Sequence, residues 1–149
     1  MTEILFYHLE RAPLEDVLPG LLEKCLERSW RVVVQAGSEE RVIALDAHLW
    51  SYRDEAFLPH GTAREGNAAA QPIWLTSGDE NPNSANVRFL VDGAKCDDMS
   101  AYHRVVQIFD SRDADAVSDA RSAWKSAQAS GHTVTYWQQG EGGRWVKKA

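Results

Sequence analysis

Strand-like and helix-like segments alternate along this chain, which predicts an α/β protein: a three-layer α/β/α sandwich on a mostly parallel central sheet. Three observations carry that expectation. Short apolar runs such as "ILFYHL" (4–9) read as strands buried on both faces. The segments between them place apolar residues at helical spacing. The length, 149 residues with 44% hydrophobic, suits a single domain, 1–149, with a real core.

The elements follow in order. Residues 4–9 form the first strand. In "PLEDVLPGLLEKCLERSW" (13–30), Leu14, Val17, Leu18, Leu21, Leu22, Cys25 and Leu26 share one helical face. Proline is tolerated in a first turn and disrupts an interior. Pro19 therefore predicts a helix starting near Val17, with Asp16 as its N-cap. "RVVVQA" (31–36) is the second strand. Residues 39–50 form the second helix, with Ser38 as N-cap and Val42, Leu45 and Leu49 as its apolar stripe. "PIWLT" (72–76) is the third strand, "TSGDENPNSAN" (76–86) a polar turn-rich loop, and "VRFLVDG" (87–93) the fourth strand. The short interval before "RVVQIFD" (104–110), the fifth strand, has room for only a helical turn around 97–103, so part of the sheet could be mixed. Residues 111–131 form the third helix, with Ser111 as N-cap and Gly131 as the C′ residue. Residues 132–138 form the last strand. The tail, 138–149, is Gly-rich, then basic, and carries no defined element.

Several function classes fit poorly. The net charge of −6 and the absence of a Lys/Arg block argue against direct nucleic-acid binding, which depends on phosphate neutralisation. Cys25 and Cys96, far apart and without CxxC spacing, suit a reduced protein of the cytoplasm. The N-terminus lacks signal-peptide character, and no apolar run approaches a membrane span. Neither GxGxxG nor GxxxxGK[ST] is present. Glu15, Asp16, Glu39 and Glu40 sit at helix N-termini, where they would repel a phosphate. A small nucleotide- or cofactor-binding α/β enzyme is thus the lesser alternative. The five histidines show no metal-type spacing. "CDD" (96–98) near His103 and "DENPN" (79–83) read as ordinary acidic turns. No catalytic residue, cofactor or metal site is expected.

Two surface features remain. "HLWSYRDEAFLPHG" (48–61) is aromatic and aperiodic, so it either tucks under something or touches something. On the third helix, Val117, Arg121, Lys125 and Gln128 share a face against a background of alanines, with Trp124 beside it. An apolar shelf edged by Arg and Lys suits a peptide with a hydrophobic side chain and a carboxylate. Spacing alone leaves open a solvated face, with Arg121 and Lys125 answering Asp119 or Asp113 and Trp124 in the core.

The segments "FYHL", "CLERSWRVVVQA", "GNAAAQPIWLT" and above all "LDAHLWSYRDEAFLPHG", with its LD–LW and F–PH pattern, resemble the chi subunit family of the bacterial DNA polymerase III holoenzyme. The resemblance covers most of the chain. It implies a Rossmann-like fold without enzymatic activity, and two protein contacts in DNA replication. One is with the psi subunit of the clamp loader, through Phe57, Leu58, Pro59 and His60, together with Trp50; a helicase is a further candidate at that patch. The other is with the acidic, Phe-terminated tail of single-stranded DNA-binding protein, through Arg121. The family's second basic position falls on Val117, and Lys125, one turn later, is its substitute. The resemblance favours an outward-facing 57–60 segment.

Overall fold

The structure, a computed structural model, describes residues 2–10, 12–51, 58–64, 66–96, 98–139 and 145–148. Among these lie seven strands and three α-helices: β1 (Glu3–Leu9), α1 (Leu14–Glu27), β2 (Val32–Gln35), α2 (Glu39–Ser51), β3 (Ile73–Thr76), β4 (Val87–Leu90), β5 (Arg104–Asp110), α3 (Ala114–Ala129), β6 (Thr133–Gln139) and β7 (Trp145–Lys147). The strands form one sheet in the order β3-β2-β4-β5-β1-β6-β7. The first six are parallel to their neighbours, and β7 runs antiparallel to β6.

Successive side chains of a strand point to opposite faces, and the two cores follow that alternation. On one face Leu5, Val32, Val34, Ile73, Leu75, Phe89 and Val106 pack against Leu18 and Leu22 of α1 and Leu45 and Leu49 of α2. On the other, Ile4, Phe6, Val33, Val105 and Phe109 pack against Ala120 and Ala127 of α3. The α/β/α layering is therefore as the sequence predicts.

Four local expectations are corrected. α1 begins at Leu14, not near Val17, so Pro19 lies inside it. A proline at that position cannot bond the carbonyl four residues back. That carbonyl, Glu15 O, instead accepts from His48 Nε2 of α2 at 2.6 Å, so the helix tolerates Pro19. The N-cap of α3 is Asp113, not Ser111; its carboxylate accepts from the amides of Asp115 and Ala116. Gly131 does follow the helix at φ +83°, a conformation glycine adopts freely. The β4–β5 connection, which carries only a 3₁₀ turn at Met99–Ala101, still delivers β5 parallel to β4. The antiparallel pairing lies instead in the tail, where β7 takes the far edge of the sheet and Trp145 stacks on Tyr7 at 4.7 Å. Ser38 caps α2 as expected, accepting from the Arg41 amide at 3.3 Å.

A buried cation secures the loop after β3. Arg88 is fully buried, and its guanidinium donates to Gln35 Oε1, Tyr102 Oη and the carbonyls of Gly78 and Glu80. Within the same loop, Glu80 accepts from Trp74 Nε1 and Thr76 Oγ1, while Asn83 donates to the carbonyls of Val32 and Gln71. The polar residues of 79–83 thus build the turn.

Candidate peptide-docking sites

α3 crosses β5, β1 and β6, and one of its flanks leaves an open pocket of about 390 Å³. Val117, Ala120, Arg121, Trp124 and Lys125 form its helix wall; His8, Phe109 and Tyr136 form its sheet wall. Of the five residues singled out on this helix, Val117, Arg121, Trp124 and Lys125 line one cavity, and Gln128 does not. Trp124 is half-buried, meeting Phe6 edge-on at 5.6 Å and Tyr136 at 5.8 Å. It serves both the core and the pocket wall. Arg121 and Lys125 are exposed, and neither pairs with Asp113, Asp119 or another acid among the described residues. Chemically the pocket is an apolar slot with two available cations at its edge.

Sequence reasoning missed the sheet wall. His8 stacks on Phe109 at 4.7 Å, and its Nδ1 lies 2.6 Å from the Tyr136 hydroxyl. Its Nε2 is buried with no hydrogen-bond partner among the described residues. Burial pulls the His8 pKa below its ordinary value, as does Arg121, against the opposing carboxylates of Glu10 and Asp110. Burial likewise raises the Tyr136 pKa. The signal for these residues was the two-residue period of the strands. It gains meaning only once β5, β1 and β6 are known to be neighbours.

The second predicted site falls partly outside the described residues, because Phe57 lies there. Of the rest, Trp50 is 48% exposed at the end of α2, and Pro59 is half-buried. Leu58 and His60 are interior, at 2% and 4% exposure, which corrects the expectation that they face outward. The cause is local. Gly61 bridges to β3, its amide donating to Ile73 O at 3.0 Å while its carbonyl accepts from the Leu75 amide at 2.9 Å. That pairing draws 58–60 beneath α2. His60 Nδ1 meets Leu58 O at 2.6 Å, and its Nε2 meets Asp46 Oδ1 at 3.1 Å. The Trp50 ring lies over His60 at 4.2 Å. The structure thus presents Trp50 to solvent and sets His60 behind it as a support.

A larger groove, about 1050 Å³, runs along the other flank of α3 beside the β4–β5 connection. Glu15, Asp92, Asp98, Asp110, Asp113, Asp115 and Asp119 line it against three cations, Arg41, Lys95 and Arg112, of which Arg41 pairs with Glu15 and Asp92 and Arg112 with Asp110. Such a lining repels phosphates, which disfavours a nucleotide there. Among the described residues, no helix is long and apolar enough to cross a membrane.

Comparison with known proteins identifies the family. Residues 1–135 match the family described as "DNA polymerase III chi subunit, HolC". A probable DNA polymerase III subunit chi of Rickettsia prowazekii (strain Madrid E) is 29% identical over 108 residues, which is 70% of this chain and 66% of that protein. The DNA polymerase III subunit chi of Pseudomonas aeruginosa is 34% identical over 86 residues, 56% of this chain and 59% of that protein. The chain thus spans less than two thirds of the length of either relative. With residues 1–135 inside the family match, the chain belongs to the DNA polymerase III chi subunit family.

Proposed function

We propose that this chain is a non-catalytic adaptor of the DNA polymerase III holoenzyme, working in the cytoplasm. It joins the clamp loader, through psi, to the acidic C-terminal tail of single-stranded DNA-binding protein. The observation that carries this reading is the α3 pocket. A peptide ending in Phe offers a ring for the slot between Trp124, Phe109 and Tyr136, and carboxylates for Arg121 and Lys125. Val117, where the resemblance expects a lysine, forms part of the apolar wall, and Lys125 supplies the second charge. The psi contact centres on the exposed ring of Trp50, with Leu58 and His60 buried behind the half-buried Pro59; Phe57, the remaining residue assigned to this contact, lies outside the described residues. The acidic net charge is compatible with this role, because the DNA is held by the partner.

The test is a titration of a labelled acidic peptide ending in Phe, followed by fluorescence anisotropy. Wild type binds at micromolar concentration and more weakly as salt rises. Arg121→Ala weakens binding about tenfold. No binding at low salt, or equal binding by the variant, removes the tail-site assignment. For psi, Trp50→Ala should reduce co-purification while leaving the melting temperature nearly unchanged. Undiminished co-purification would show that the contact lies elsewhere.

A further inference from the structure

β7 and the residue after it lie beyond the 1–135 stretch that matches the family. The register of this strand decides which of its side chains face the α3 pocket. Trp137 stands opposite Lys147, and Gln138 opposite Val146. The next pair follows from the Lys148 amide, which donates to Tyr136 O at 2.8 Å. Directly opposed residues of antiparallel strands project to the same face. Lys148 and Val146 therefore share the face of Tyr136, whose ring lines the pocket. Lys147 projects to the other face with Trp137 and Trp145, where Trp145 stacks on Tyr7.

The pocket also opens towards that side. Asp119, Ser122 and Ser126 of α3 line the groove beside the β4–β5 connection, whereas Val117, Arg121 and Lys125 line the pocket on the flank towards β6 and β7. Neighbouring strands lie about 4.8 Å apart, so Lys148 begins one strand beyond the pocket wall, a gap that a lysine side chain is long enough to cross. Lys148 is exposed. Of the two acids that act on His8, Glu10 accepts from the Gln138 side-chain amide and Asp110 pairs with Arg112.

We propose that Lys148 is a third cation of the pocket, reading acidic residues that precede the hydrophobic C-terminus of a bound peptide. The inference rests on the peptide-docking reading above and extends it to β7. Charge complementarity carries it: Arg121 and Lys125 line the apolar slot, and Lys148 stands opposite Tyr136 of its sheet wall, on a chain whose net charge is −6. The terminal side chain and carboxylate occupy the α3 slot, and the upstream acids lie over β6 and β7.

The experiment compares Lys148→Glu with Lys147→Glu. The two variants change the net charge equally, on adjacent residues that face opposite sides of the sheet. Anisotropy titration uses the acidic Phe-terminated peptide and a second peptide whose upstream acids are replaced by their amides. At low salt Lys148→Glu should weaken the acidic peptide about fivefold or more, and Lys147→Glu less than about twofold. With the amide peptide, wild type and Lys148→Glu should bind alike. Equal weakening by both reversals, or none by Lys148→Glu while wild type still binds, overturns the role of Lys148 alone. Absence of binding by wild type, or indifference to Arg121→Ala, overturns the pocket reading and this extension with it.

Discussion

Pro19 and His48 should be energetically coupled, although they sit on different helices. Pro19 lies within α1 and is buried, so the Glu15 carbonyl has no amide at position 19 to bond. His48 Nε2 reaches that oxygen at 2.6 Å. Replacing His48 with Ala leaves a carbonyl in a partly buried site without this donor, a change that costs about 1–3 kcal/mol. In a Pro19→Ala background the helix supplies its own N–H to the same carbonyl, and the loss on removing His48 should fall to about 1 kcal/mol or less. The assay is a double-mutant cycle by urea denaturation, followed by tryptophan fluorescence. A coupling of about 1 kcal/mol or more is expected. Additivity within about 0.5 kcal/mol would refute the idea that His48 substitutes for the missing helix bond.

Three further outcomes follow from the interior. Arg88→Met should destabilise the fold by about 3–5 kcal/mol in the same denaturation assay, because four acceptor groups lose a buried cation; Arg88→Lys should not restore it, since an ammonium cannot reproduce the guanidinium fork. His8, its pKa lowered mainly by burial, resists a proton that the unfolded chain accepts near pH 6.5. Stability it permits above that pH is therefore lost as pH falls through it, and His8→Leu should flatten the dependence between about pH 7 and pH 5. Burial pushes the Cys25 thiol up to about 11. Alkylation of the native protein at pH 8 should therefore label the partly exposed Cys96 and spare Cys25 until it unfolds.

The layers of the fold were legible because strands buried on both faces announce themselves by continuous apolarity. Helix ends were less legible. Asp16 and Ser111 are plausible caps by type, yet α1 starts early because a histidine from a distant helix relieves Pro19, and α3 starts late because Asp113 competes better for the first amides. No local pattern contains the first fact, whereas the second is a choice between two cap residues two positions apart. The short β7 was invisible for a related reason. Trp145 and Val146 suit a strand, but three residues are too short a run to show alternation, and they pair because β6 offers an open edge and Tyr7 a stacking surface. The docking residues divide in the same way. Val117, Arg121, Trp124 and Lys125 share a helix flank, so spacing alone groups them. His8, Phe109 and Tyr136 come from three strands far apart in sequence, and only the sheet order joins them.

That sheet order also bears on how one small protein could hold two partners. Trp50 stands at the β3 end, since it covers His60, and Gly61 just after it is bridged to β3. The α3 pocket lies at β5, β1 and β6, on the opposite face. Three to five strand spacings separate β3 from the strands of the pocket, about 14 to 24 Å at 4.8 Å each. Sites that far apart with no shared side chain are expected to act additively. Saturating the pocket with the acidic peptide should then leave psi capture unchanged, and Trp50→Ala should leave the peptide affinity within about twofold. The net charge of the chain adds a weak, screened coupling that fades above about 0.15 M salt, because the separation is some two to three Debye lengths there. Competition between the two ligands at that salt would mean that their footprints meet, and it would place at least one of them away from the side chains assigned to it.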